Sequence, residues 1–156
     1  MHETLSTTQV INHARNREYM SGVDRDKVRT KQTAEVFTPT PLVRDVLNKL
    51  PPISFSDSTQ TFLDNSCGDG QFLSEVLIRK MEHGSTFEQA LSTIYGVDIM
   101  EDNVTLCRDR LLCNQEHYRH IVEKNIVCHD ALTYDYSFNG TNKTDAALKK
   151  ELFFNM

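Results

Sequence analysis

Leu42, Val43, Val46, Leu47 and Leu50 recur at three- and four-residue spacing after Thr40-Pro41, a cap residue followed by proline. That pattern predicts a helix, which Pro51-Pro52 stops. After a polar loop from Ser54 to Gln60, Thr61-Phe62-Leu63 ends at Asp64, a short buried strand entering the glycine turn Asn65-Ser66-Cys67-Gly68-Asp69-Gly70. Phe72, Leu73, Val76, Leu77 and Met81 restore the helical period to about His83, and Gly84 is placed to stop that helix in the left-handed conformation. Ser85-Thr86-Phe87-Glu88 reads as a capping box opening a short helix through Leu91. The β-branched and aromatic run Thr93-Ile94-Tyr95-Gly96-Val97-Asp98 predicts a second strand, and a helix from about Glu101 to Gln115 places Val104, Cys107 and Leu111 on one face. Ile126-Val127-Cys128 is the third strand, ending at His129-Asp130. Beyond it Tyr134 to Phe138 reads as extended, Asn139-Gly140 as a turn and Asp145 to Phe154 as a terminal helix whose Leu148, Leu152 and Phe153 cover the sheet edge, with a partner-binding stripe as the alternative.

Strand, helix, strand, helix, strand is the order of a parallel sheet wound with right-handed crossovers, so the fold class is α/β with an open parallel sheet, truncated after about three or four strands. Residues 1–35 hold few large apolar groups and read as an N-terminal leader, partly flexible or helical; residues 36–156 form the folded domain. A chain of 156 residues makes one core, burying roughly 70% of its unfolded surface.

Charge changes this picture in one place. Lys and Arg total 17 against 22 Asp and Glu, a net −5, yet residues 15–31 carry six basic side chains and three acidic ones. An acidic body argues against broad binding of nucleic acid; the basic arm reads as a solvated leader, with a contact to a phosphate backbone as the alternative. No apolar run approaches the roughly 18 residues of a membrane span, and Met1-His2-Glu3-Thr4 lacks the layout of a secretion signal. The expectation is a cytoplasmic protein whose cysteines Cys67, Cys107, Cys113 and Cys128 remain thiols.

All three strands end in or next to an aspartate, where an open parallel sheet binds its ligands. Gly68 and Gly70 remove side chains after the first strand, which lets backbone approach a ligand closely. Asp98 at the second strand tip is placed to accept both hydroxyls of a ribose, and Asp130 to accept from an exocyclic amine. Gly68-Asp69-Gly70 lacks the third glycine of a dinucleotide fingerprint, and Asp64 and Asp69 repel phosphate and favour a cation. S-adenosylmethionine, with a sulfonium, an ammonium, a ribose, an adenine and no phosphate, fits that profile. Strand-end acids that serve only as caps are the competing reading.

Glu35-Val36-Phe37-Thr38-Pro39, followed by Asp64-Asn65-Ser66-Cys67-Gly68-Asp69-Gly70-Gln71-Phe72-Leu73, resembles the amino-methylating DNA methyltransferases, specifically the adenine-modifying group with its cofactor motifs first. The resemblance covers roughly residues 31 to 135. It implies a Rossmann-like methyltransferase fold, S-adenosylmethionine as cofactor and DNA as substrate. Phe37, Thr38, Pro39, Asp64, Cys67, Gly68 and Gly70 are the implied contacts at the methionine end. Asp98 is the implied ribose acceptor, with Ile99 on the adenine face and the acid of Asp130-Ala131 meeting the adenine amine.

One departure bears on activity. The family's Asp/Asn-Pro-Pro-aromatic tetrapeptide, which orients the target amine and stacks on the flipped base, does not occur here; the only Pro-Pro is Pro51-Pro52, after Leu50. The catalytic residues are therefore unassigned. Either a second protein chain carries the tetrapeptide, or an unrecognised acceptor site serves, or the domain binds cofactor as a non-catalytic regulatory or interaction module.

Cys113-x-x-x-His117-x-x-His120 supplies soft ligands, but no second cysteine pair completes a zinc set, so the expectation is no metal, with Cys107 and Cys113 as small apolar residues. Cys67 reads as packing under the glycine turn, with a reactive thiol near a helix start as the alternative.

Overall fold

The computed structural model describes residues 5–16 and 38–140. Phe37 and the expected terminal helix lie outside them. Helices α1 (Thr7–Asn16), α2 (Thr40–Leu47) and α3 (Ile53–Ser56) precede the first strand, β1 (Phe62–Asp64). Helices α4 (Gln71–Glu82) and α5 (Phe87–Ser92) lead to β2 (Ile94–Asp98); α6 (Glu101–Leu112), a 3₁₀ turn at Glu116–Tyr118 and α7 (Arg119–Asn125) lead to β3 (Ile126–Cys128). The strands pair in parallel in the order β1-β2-β3. This is an α/β fold with a three-strand open parallel sheet, the class expected from the alternation of elements.

Register fixes the site's edge. Asp64 lies opposite Gly96 and Asp98 opposite Cys128, so the carboxyl ends of all three strands open on one side. Alternation along the strands sends Ile94 and Ile126 into the main core with Leu73, Leu77 and Leu111, while Val97 and Val127 join Tyr134 in a second cluster on the other face. Helix α1 contributes Val10 and Ala14 to the main core. Lys80 is also fully buried: its ammonium donates to the Gln60 carbonyl and the Thr93 hydroxyl at 2.5 and 2.7 Å, and lies over the Phe62 ring.

Helix α4 stops as expected at Gly84, where φ is 108°, through a Schellman motif: the Ser85 amide donates to the Lys80 carbonyl and the Gly84 amide to that of Met81. That motif moves the next cap. Ser85 is buried and committed to α4, so the capping box forms one residue later, between Thr86 and Gln89, and not from Ser85 and Glu88. Helix α6 ends at Leu112, short of Gln115, because Cys113 and Asn114 turn left-handed. Helix α7, which the hydrophobic pattern did not disclose, is held by Arg108, whose guanidinium donates to the Glu123 and Ile126 carbonyls. The stretch Tyr134 to Phe138 forms no strand; Tyr136 and Phe138 take positive φ, and the rings of Tyr134, Tyr136 and Phe138 pack on one another. Among the described residues no helix is long and apolar enough to cross a membrane.

Candidate functional site

Asp98 closes β2, and its carboxylate organises the sheet's open edge. Oδ2 accepts from the Gly68 amide at 3.0 Å; Oδ1 accepts from the Met100 amide at 2.8 Å and from Asn103 Nδ2 at 3.4 Å. A carboxylate offers about four lone-pair positions. The protein's own three donors leave about one, on Oδ2, so this arrangement has room for a single hydroxyl where the sequence suggested two.

The glycine turn is bound to the sheet by backbone. The Cys67 amide donates to the Val97 carbonyl at 3.0 Å, and the Gly70 amide closes the turn on the Cys67 carbonyl at 2.9 Å. Gly70 has φ 98°, and a Cβ there would sit 3.0 Å from Cys107 Sγ. Gly96, in mid-strand, is excluded from bearing a side chain by space: its Cβ would lie 2.9 Å from Leu73 Cδ1 and 3.0 Å from Cys67 Sγ. The turn, β2 and α6 thus meet across gaps that only glycines leave.

The acids divide into two kinds. Asp64 is half-buried and accepts from the Ser66 amide at 3.0 Å; burial pushes its carboxyl above the usual carboxylate range, the negative charge of Asp98 adds to this, and the Ser66 bond partly offsets it. Two carboxylates that feel each other at an open edge favour a cation. Asp69 does not belong with them. It is fully buried, 3.9 Å from the Arg110 guanidinium and hydrogen-bonded by Gln71 Nε2, so its charge is neutralised within the fold. The case for a cationic ligand therefore rests on Asp64 and Asp98 alone.

Cys67 is buried, and its thiol is pushed up first by a hydrogen bond with the Cys107 thiol, then by burial, then by the charges of Asp98 and Asp64. It stays protonated and packs beneath the turn, which removes the reactive-thiol alternative. Cys113 is likewise buried while His117 and His120 face solvent, and among the described residues no group of three or more His, Cys, Asp or Glu side chains is arranged to hold a metal.

The remaining expected residues do not all share the edge, and Phe37 lies outside the described residues. Thr38 is half-buried, and Pro39, exposed, caps α2, which packs on α4. Ile99, directly after β2, leaves 59% of its surface open. The β3 chain continues beside Asp98, the His129 amide donating to the Asp98 carbonyl, and Asp130 follows, half-buried, with Oδ1 accepting from the Leu132 amide at 2.9 Å. Ala131 packs against the Val97, Val127 and Tyr134 cluster on the far face. Sequence reasoning missed Gly96, Asn103 and Arg110. A glycine inside a β-branched strand is a signal of close approach and was available for the first; a polar residue on a helix gives no comparable signal.

The family model N-6 DNA Methylase matches residues 24–150, which takes in β1, the glycine turn, Asp98 and Asp130. No curated protein and no solved structure matches the chain. With its α/β parallel sheet and a match over most of its length, the chain belongs to the N-6 DNA methylase family.

Proposed function

We propose that this methyltransferase-family domain binds S-adenosylmethionine at the carboxyl edge of its sheet and serves methyl transfer to an exocyclic amine of adenine in DNA. The observation that carries the reading is the Asp98 carboxylate, tied to the Gly68 amide and keeping about one acceptor position for a sugar hydroxyl. The residues fit the cofactor in charge and in space. Asp64 and Asp98 supply negative potential for a ligand bearing a sulfonium and an ammonium, and Gly68 and Gly70 present backbone in place of side chains.

In this reading Phe37, Thr38 and Pro39 flank the methionine end with Asp64, while the Cys67 thiol shapes the floor of the turn. Ile99 offers an apolar surface to the adenine ring, and Asp130 keeps acceptor capacity for its amine beyond the Leu132 bond. Ala131, packed on the far face, anchors the turn that carries Asp130. The cofactor supplies an electrophilic methyl group; the chain's residues bind and orient it.

Calorimetric titration with S-adenosylmethionine tests this. Binding should be measurable and weaken at least tenfold in Asp98→Ala, the loss expected for a hydrogen bond to a charged group. No heat at millimolar ligand overturns the reading.

A second reading concerns where the methyl acceptor is held, and β1 favours it. This strand is an edge of the described sheet, with Leu63 53% exposed. Because the Phe62 amide faces β2, donating to the Thr93 carbonyl, the Leu63 backbone groups point away from β2, and among the described residues no strand pairs with them. We infer that a segment outside these 156 residues, carrying the Asp/Asn-Pro-Pro-aromatic tetrapeptide, completes the sheet there. Tritium transfer from labelled cofactor to unmodified DNA should need a polypeptide bearing that tetrapeptide. Equal counts from the folded chain alone overturn the inference, and background counts in both arms favour a non-catalytic interaction module.

A further inference from the structure

Helix α6 reaches the site with three side chains on one face. Asn103, Cys107 and Arg110 stand at i, i+4 and i+7, so they project from successive turns toward the same neighbour. All three are buried. Arg110 faces Asp69, the Cys107 sulfur lies against Gly70, where an added Cβ would come within 3.0 Å of it, and Asn103 donates from Nδ2 to Asp98 Oδ1. The first two hold the underside of the glycine turn. Asn103 differs, because its partner is the carboxylate that faces the ligand.

The last torsion of an aspartate side chain is broad, and a carboxylate held by one donor on each oxygen swings easily about it. Gly68 N on Oδ2 and Met100 N on Oδ1 are one such pair, both from backbone flanking the site. Asn103 adds a second, side-chain donor to Oδ1 from the first turn of α6, the helix that Met100 caps, and so fixes the plane of the carboxylate as well as its position. The amide is suited to this as a neutral donor. An aspartate there would set a second negative charge against Asp98, and a leucine of similar size supplies no donor.

We propose that Asn103 is a positioning residue for ligand recognition, holding the Asp98 carboxylate so that its one remaining acceptor position faces the bound sugar. This rests on the reading of Asp98 as the ribose acceptor. Asn103 acts through Asp98 and does not itself meet the ligand.

The test is a double-mutant cycle with S-adenosylmethionine in the calorimeter, using Asn103→Leu, Asp98→Ala and the double variant. Asn103→Leu should weaken binding about tenfold in the parent chain and less than twofold in the Asp98→Ala background, which has no side-chain acceptor for Asn103 to hold. Equal losses in both backgrounds overturn the proposal, because a residue that merely supports the fold acts independently of Asp98. Amide hydrogen exchange gives a second readout that needs no ligand. Asn103→Leu should speed exchange at Gly68 and Met100 about tenfold and leave Val97 and Ile126 unchanged. Unaltered protection at Gly68 and Met100 overturns the positioning role. If the parent chain binds no S-adenosylmethionine, the cofactor reading fails while the exchange experiment still decides whether Asn103 holds Asp98. Should Asn103→Leu fail to fold, the isosteric Asn103→Asp carries both measurements, with a larger loss expected.

Discussion

Replacing Gly70 by alanine separates two demands that the structure makes at one position. The backbone there has φ 98°, a conformation costing an L-residue roughly 1–2 kcal/mol, and the new Cβ would lie 3.0 Å from Cys107 Sγ. The other near atoms, Arg110 Cδ at 3.6 Å and Cys107 Cα at 3.7 Å, are ordinary contacts, so crowding comes from the sulfur alone. Cys107 is fully buried and cannot swing away freely; overpacking of this kind costs about 1–3 kcal/mol. Gly70→Ala should therefore destabilise by about 2–5 kcal/mol, lowering the melting temperature by about 10 °C at this chain length. Cys107→Ala removes the sulfur, at a cost of about 1 kcal/mol from its lost burial. In the double variant the crowding disappears and the backbone cost remains, so the pair should be at least about 1 kcal/mol more stable than the sum of the single effects. Urea denaturation followed by circular dichroism measures all four corners of the cycle. Additivity within about 0.5 kcal/mol would refute the close approach of Cys107 to the turn, and a Gly70→Ala variant as stable as the parent would refute the strained backbone as well.

Three further outcomes follow from the same geometry. The folded Asp64 carboxyl titrates above its unfolded value, so its contribution to stability is full at acid pH and lost as pH rises through the folded value; Asp64→Asn should stabilise the chain at pH 7, and denaturant melts should show that gain shrinking on acidification. Lys80→Met should destabilise by about 1–3 kcal/mol in the same assay, because it leaves the buried ammonium's two hydrogen-bond partners, the Gln60 carbonyl and the Thr93 hydroxyl, without their donor. With a thiol-specific chromogenic disulfide, half-buried Cys128 should react first, with buried Cys67, Cys107 and Cys113 reacting only as the chain opens; early modification of Cys67 would contradict its protonated, packed state.

The sequence carries the strands and the acids at their ends because both obey local rules: a β-branched run such as Ile94-Tyr95-Gly96-Val97 ending at Asp98 needs no tertiary knowledge to be seen. Gly84 was legible for the same reason. The cap beside it was not, since Ser85 and Thr86 are equally good cap residues and only the Schellman bond from Ser85 to Lys80 decides between them. Helix α7 escaped notice because Arg119–Asn125 carries only Ile121 and Val122 as apolar groups, and the guanidinium of Arg108 secures its end from another helix. Asp69 misled for a related reason: its neighbours along the chain are site residues, while the group that neutralises it, Arg110, lies forty-one positions later. Local pattern thus revealed which residues line the edge. It did not reveal which of them turn inward.

The row of Asn103, Cys107 and Arg110 beneath the glycine turn means that the recognisable signature of this site is not a transplantable unit. A fragment ending at Asp98 would contain the turn and both edge acids and yet lack the helix that sets their shape, and a graft of residues 64–70 onto another sheet would import the letters without the geometry. The turn takes its shape only against a helix that begins thirty-one residues after Gly70, so the geometry of the edge belongs to the packed domain rather than to its most familiar stretch.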